Sequence, residues 1–333
     1  MMQSRRLRYA ALGGLLGLAT LEACKEDPAT HAAFSIAAGT TVDAGTTLDA
    51  GGTTDAPTSS DALPAADGAT LGCGMDPGQN IGEYVEYHIS ISGPDLDATN
   101  KPKVRDRIYY VRLPKTYDGT TPMRVVYLGT GCGGTTPQAV ISLNTASMEQ
   151  AILVAPMPLL EFNQCFDETI DSVEYPFFDA LHKKIEASFC VDPARQFYAG
   201  FSTGAWFGNM LGCVFPDVLR AYATIQGGLP PLPTCKDKPI ANFTLADTLE
   251  TGNPYMSNVL ASQRVQMIDK CTGTATAPYD TGPGTTLPPT ASCVSYTGCP
   301  TSYPVVFCTT SGQGHQQFEP FSDFAFWNFF KQF

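Results

Sequence analysis

Ser202 stands at the centre of Gly200-Phe201-Ser202-Thr203-Gly204, a G-x-S-x-G pentapeptide. A short apolar run, Phe197-Tyr198-Ala199, precedes it, and Trp206, Phe207, Met210 and Leu211 follow at helical spacing. Strand, sharp turn and helix in that order can present a serine as an exposed nucleophile. So tight a turn strains the serine backbone, and the residues two places to either side must lack side chains to avoid collision. The helix opening at Thr203 aims its first amides at an oxygen that becomes negative during acyl transfer.

A serine hydroxyl needs a base to take its proton, and that base needs a carboxylate to fix its tautomer. Four histidines are present. His31 falls in low-complexity sequence, His88 in an early strand and His182 in a helix ahead of the serine. His315 follows it, in Ser311-Gly312-Gln313-Gly314-His315 directly after the apolar strand Val305–Cys308. Between serine and histidine lie Asp217, Asp237, Asp247, Glu250, Asp269 and Asp280. Asp247 comes just after the strand Ile240–Leu245, which places it at the same sheet edge and makes it the expected acid, with Glu250 in reserve. For the developing oxyanion the donors are the N–H of Thr203 and, from Gly129-Thr130-Gly131-Cys132-Gly133-Gly134, that of Cys132. Thr130 and Trp206 are expected to face the substrate.

These residues need a frame. Tyr84–Ile91 and Arg107–Leu113 alternate as half-exposed strands and predict an antiparallel pair at a sheet edge. Val125–Leu128, Ala151–Ala155, Tyr222–Gln226, Ile240–Leu245 and Val305–Cys308 are short apolar runs of the buried-strand kind. Val173, Phe177, Leu181, Ile185 and Phe189 recur every four positions and predict a helix packed on the sheet. Phe321–Phe333 predicts an aromatic-rich closing helix. Strand and helix in alternation imply an α/β fold with a mostly parallel doubly wound sheet and an antiparallel N-terminal edge. The stretch Thr272–Pro300, rich in Gly, Pro and Thr, is expected to be a long surface loop pinned by disulfides.

The first 23 residues have the make-up of an export signal, with Arg5, Arg6 and Arg8 ahead of an apolar run from Tyr9 to Leu21. Leu21-Glu22-Ala23-Cys24 resembles a bacterial lipobox, which makes Cys24 the expected lipidation site and an N-terminal lipid anchor the expected contact with a membrane. Residues 24–72, with their loose Thr, Ala, Asp and Gly repeat, are expected to be a disordered linker. Residues 73–333 then form the catalytic domain. The whole chain carries a net charge of −12. Loss of residues 1–23 removes three arginines and one glutamate and brings the charge near −14, which repels phosphate backbones and argues against a nucleic-acid partner. Beyond Cys24 there are ten cysteines, an even number, as expected for disulfides in an extracytoplasmic protein. With no C-x-x-C spacing and four histidines, no metal site is expected.

Across nearly all of residues 73–333 the sequence resembles the secreted polyhydroxybutyrate depolymerase and feruloyl esterase type of α/β-hydrolase. The similar pieces are Leu113-Pro114-Lys115-Thr116-Tyr117-Asp118, Gly131-Cys132-Gly133-Gly134, Ser188-Phe189-Cys190-Val191-Asp192-Pro193-Ala194-Arg195, the turn around Ser202, Phe215-Pro216-Asp217-Val218, Ala246-Asp247, and His315 ahead of an aromatic terminal helix. The resemblance implies a Ser202, Asp247 and His315 triad and a serine carboxylesterase that needs no cofactor. It implies hydroxycinnamoyl esters of plant polysaccharide as substrates, then polyhydroxyalkanoate, then acetylated xylan. Two departures stand out. Thr130-Gly131 replaces the His-Gly usual before Cys-Gly-Gly, and the His-Gly-x-x-Asp pattern keeps only its aspartate, Asp247. They leave room for a reading from another class, an inactive hydrolase scaffold displayed as a binding module.

Overall fold

Val125 and Tyr127 of one strand turn to one face of the sheet, Val126 and Leu128 to the other, and all four are fully buried. This two-residue alternation with apolar groups on both sides is what a strand covered by helices on both faces requires. The computed structural model describes residues 70–143, 145–273 and 275–333. They belong to the compact unit Thr58–Phe333, whereas the unit Met1–Pro57 lies outside the described residues. The export signal, Cys24 and the linker up to residue 69 therefore also lie outside them.

Among the described residues ten strands form one sheet: β1 Tyr84–Leu96, β2 Pro102–Arg112, β3 Met123–Gly129, β4 Ala151–Pro156, β5 Val191–Phe201, β6 Ala221–Ile225, β7 Ala241–Asp247, β8 Thr276–Pro278, β9 Ser292–Tyr296 and β10 Val305–Thr310. The order across it is β1-β2-β4-β3-β5-β6-β7-β10-β9-β8. The six strands from β4 to β10 in that order are parallel. Antiparallel strands flank them on both sides. The helices are α1 Glu174–Ser188, α2 Thr203–Val214, α3 Tyr255–Ile268 and α4 Phe321–Phe330. One face of the sheet packs Phe177, Phe178 and Leu181 of α1 with Phe207 and Leu211 of α2. The other packs Phe326, Trp327, Phe329 and Phe330 of α4 against Phe197 and Phe243. This is the α/β-hydrolase fold. Phe207, Phe318, Phe321 and Trp327 are all core residues.

Three features differ from the sequence expectation. The ribbon of β1 and β2 is longer than its regularly alternating part, with pairing carried on through Ser92↔Val104 and, after a shift in register, to Leu96↔Pro102. The stretch 272–300 is not a plain loop, because it holds β8 and β9, which extend the sheet beyond β10. Cys293 and Cys308 face each other across β9 and β10 and are joined, while Cys271 and Cys299 close the excursion at its base. Helix α3 carries an inverted pattern. Asn258, Ser262 and Arg264 are buried alongside Ala261 and Val265, while Met256, Leu260 and Met267 are exposed, so its packed side is only partly apolar. Thr70, within the expected linker, is held to the domain: its hydroxyl donates to the Phe189 carbonyl and accepts from the Val191 amide.

Asp323, in the first turn of α4, is buried, and its Oδ1 has no partner among the described residues. Burial and the neighbouring Glu319 push its carboxyl from 3.8 up to about 8. The positive end of a helix favours an anion by only about 1 kcal/mol or less, and burial outweighs that. A carboxyl that holds its proton longer in the folded chain contributes stability that is complete below its unfolded pKa and lost as pH rises toward 8. Asp323→Asn is therefore expected to melt several degrees higher than wild type at pH 8 and at the same temperature near pH 4. Calorimetry at the two pH values checks this, and a variant that melts lower at pH 8 contradicts it.

Candidate active site

At the end of β5 the chain turns into α2 through Ser202, whose φ of 56° and ψ of −122° lie outside the regions an ordinary residue prefers. The turn closes this tightly because its flanking residues are glycines. A Cβ on Gly200 would come within 2.3 Å of the Gly204 carbonyl oxygen, and one on Gly204 within 2.5 Å of the Gly129 carbonyl. The Ser202 amide is tied to the Ile225 carbonyl of β6 at 3.0 Å, so the turn is held from the neighbouring strand.

The loop after β10 carries His315 across the C-terminal edge of the sheet. His315 Nε2 lies 2.9 Å from Ser202 Oγ, and the imidazole rests on the Phe201 ring with centroids 4.7 Å apart. Gln226, at the end of β6, clamps the loop on both sides of the histidine. Its Nε2 donates to the Gly314 carbonyl at 2.7 Å, and its Oε1 accepts from the Gln316 amide at 2.9 Å. Gln226 is fully buried and absent from the sequence-based site, although a polar residue closing an otherwise apolar strand at this edge is a signal that could have found it.

Asp247 sits where expected, at the C-terminal end of β7, but the structure does not bring it to the imidazole. Its carboxylate accepts from the amides of Leu249, Gly312 and Gln313 and from the Thr310 hydroxyl, at 2.8–3.1 Å. Burial pushes this carboxyl up, but the donors from Gln313, Leu249, Thr310 and Gly312 outweigh it and hold it below its ordinary value. The carboxylate beside the imidazole belongs to Glu250, whose Oε2 is 3.3 Å from His315 Nδ1. Of the two carboxylates expected as the acid, the structure thus places the reserve, Glu250, beside the imidazole, while the oxygens of Asp247 serve the loop that carries the histidine.

On the opposite side of Ser202 runs the loop after β3. A Cβ on Gly131 would lie 3.2 Å from Ser202 Cβ, so this loop passes directly over the serine. Among the described residues no carbonyl accepts from the amides of Thr203 or Cys132. Cys132 is bonded to Cys165, and the Phe166 amide next to it donates to Thr203 Oγ1 at 3.1 Å, which links the loop to the turn. Thr130 does not face a substrate: it is buried, and its hydroxyl donates to the Ala139 carbonyl at 3.2 Å. Trp206 is half-buried, and its indole N–H is committed to Asn253 Oδ1 at 2.6 Å. The Thr130 side chain is thus turned to neighbouring backbone, whereas the Trp206 ring stays partly exposed with its N–H tied to the turn that carries Asn253. Among the described residues no group of His, Cys, Asp or Glu is arranged to hold a metal ion.

No family model matches the chain. It is 24% identical over 243 residues to a probable feruloyl esterase C of Aspergillus oryzae, covering 68% of this chain and 85% of that protein. Identity to feruloyl esterase D of Neurospora crassa is 24% over 281 residues, covering 79% and 90%. The match to feruloyl esterase C of Emericella nidulans is 27% over 135 residues and spans about half of that relative, 48%, and 38% of this chain. Among solved structures, the acetyl xylan esterase of Aspergillus awamori superposes with a TM-score of 0.52 at 13% identity, over 74% of this chain and 99% of that one. The chain is an α/β-hydrolase by fold and resembles the feruloyl esterases in sequence.

Proposed function

We propose that the chain is an extracytoplasmic serine carboxylesterase of the feruloyl esterase kind, acting on hydroxycinnamoyl esters carried by plant polysaccharide. The observation that carries this reading is the 2.9 Å approach of His315 Nε2 to a Ser202 hydroxyl held on a strained turn. In this reading Ser202 Oγ attacks the ester carbonyl carbon as its proton passes to His315 Nε2. The amides of Thr203 and Cys132 then stabilise the oxyanion. Collapse breaks the bond to the alcohol, which leaves with the proton from Nε2. Water, deprotonated at the same nitrogen, attacks the acyl-serine, and a second collapse releases the acid and restores the hydroxyl. Five disulfides among the described residues support an oxidising compartment, and the Cys24 motif supports a lipid anchor to a bacterial envelope.

The relatives named above support ferulate over other acyl groups. Hydrolysis of methyl ferulate, a short hydroxybutyrate oligomer and acetylated xylan, measured side by side, tests the choice. The expected result is a kcat/KM for methyl ferulate at least about tenfold above the other two, a difference of about 1.4 kcal/mol in transition-state binding. Preference for the oligomer would move the assignment to a polyester depolymerase. Turnover of none of the three would favour the inactive binding module.

A further inference from the structure

The geometry points to Glu250 as the carboxylate that positions His315, with Asp247 serving instead as the anchor of the loop that carries the histidine. The assignment rests on the reading of Ser202 as nucleophile and His315 as base. It departs from the expectation that the first aspartate after the strand holds the imidazole.

A carboxylate offers about four acceptor sites on its two oxygens. Asp247 is fully buried, and four donors already fill its oxygens: Leu249 N and Gly312 N on Oδ1, Thr310 Oγ1 and Gln313 N on Oδ2. No acceptor site is left for an imidazole N–H. What these bonds do achieve is to fasten residues 310–313 to the end of β7.

Glu250 has the complementary arrangement. Its Oε1 is held by the amides of Gly252 at 2.5 Å and Asn253 at 3.4 Å. Its Oε2 accepts no hydrogen bond among the described residues and lies 3.3 Å from His315 Nδ1. The Glu250 side chain is 6% exposed, so the contact is shielded from water, against 36% for His315. Trp206 Nε1 donates to Asn253 Oδ1 at 2.6 Å and so ties the turn that carries Glu250 to the helix that starts at the nucleophile. The extra methylene of glutamate spans the added distance from the strand end. The 3.3 Å separation is that of a contact rather than a fully aligned bond, and such contacts tighten once substrate is bound. The groups packed on the imidazole are the Phe201 ring from β5, the Ser202 hydroxyl and Glu250. Gln226 of β6 holds the flanking backbone. Among the described residues Glu250 is the one charged group within ion-pair distance of it. With its proton on Nδ1 facing Glu250, the ring turns the lone pair of Nε2 to the serine.

The test compares wild type, Glu250→Gln and Asp247→Asn in two measurements. The first is the pH profile of ester hydrolysis. The second is the low-field proton NMR resonance of His315 Hδ1 at acidic pH. Glu250→Gln is expected to lower kcat by about 10²–10⁴-fold with little change in KM, and to displace the acidic limb of the profile to lower pH. It should also lose the low-field resonance while unfolding at nearly the wild-type temperature. Asp247→Asn is expected to unfold at a lower temperature, because one of the two oxygens that serve four donors becomes an NH2 group that cannot accept, yet to keep the resonance and the position of the limb. The assignment is overturned if Asp247→Asn abolishes the resonance, alone or along with Glu250→Gln, or if Glu250→Gln leaves kcat within threefold of wild type. The resonance is read in the folded protein regardless of turnover. A wild type that cleaves no ester would therefore remove the esterase reading while still showing which carboxylate holds the imidazole.

Discussion

Ser202→Ala is expected to lower kcat for ester hydrolysis by roughly 10⁵–10⁶-fold while leaving KM and thermal stability close to wild type. The size follows from the role. Without the hydroxyl no acyl-enzyme forms, and only the oxyanion amides and substrate binding remain to speed attack by water. Stability should hold because the Ser202 side chain has one described partner, the His315 imidazole, while the Ser202 amide keeps its bond to Ile225. Alanine at a positive φ costs about 1 kcal/mol at most beyond what serine already bears, since both carry a Cβ. Stopped-flow or steady-state assays with enough enzyme to detect the residual rate check the prediction. A loss below about a hundredfold would mean that another nucleophile does the chemistry.

Arg107→Met is expected to destabilise the fold by about 3–5 kcal/mol, a fall in Tm on the order of 10 °C. Arg107 of β2 and Glu174 of α1 are both fully buried, with Arg107 Nη2 donating to Glu174 Oε2 at 2.7 Å. The guanidinium also lies 3.8 Å above the Phe177 ring and donates to the Met157 carbonyl at 3.1 Å. Removing the arginine leaves a buried carboxylate without its counter-charge, which costs far more than the pair contributes over apolar side chains. Burial already raises the Glu174 carboxyl above its ordinary value in spite of Arg107, so without the arginine it should take up a proton more readily still. The penalty of the single variant should therefore shrink as the pH is lowered toward 5. The double variant Arg107→Met with Glu174→Leu should recover most of the loss. Calorimetry of both variants at pH 5 and pH 8 decides the matter. A double variant no more stable than the single one at pH 8 contradicts the account.

The parts of the site that depend on local pattern are legible in the chain itself. Gly200 and Gly204 are required wherever the strand turns sharply into the helix, and His315 is singled out by its place after a buried strand. The six parallel strands are equally plain, since residues such as Val125–Leu128 are apolar on both faces. What depends on packing is not legible. Which carboxylate meets the imidazole turns on the conformation of residues 247–253, and that is set by tertiary bonds to Thr310, Gly312, Gln313 and Trp206. Helix α3 is hidden because its packed side carries Asn258, Ser262 and Arg264. Strands β8 and β9 are short and carry Ser and Thr, with β9 held by pairing to β10 and β8 by pairing to β9. Trp206 and Thr130 look like substrate contacts by position alone, yet each finds its partner inside the protein.

The central claim is that His315 activates Ser202 as a nucleophile. Intact-mass and peptide mapping after exposure to a fluorophosphonate tests it most directly, because that reagent modifies a serine only when a neighbouring base removes its proton. The account predicts one adduct per chain, located on Ser202, and no adduct in Ser202→Ala or His315→Ala. An unmodified wild-type protein, or an adduct on any residue other than Ser202, would contradict it.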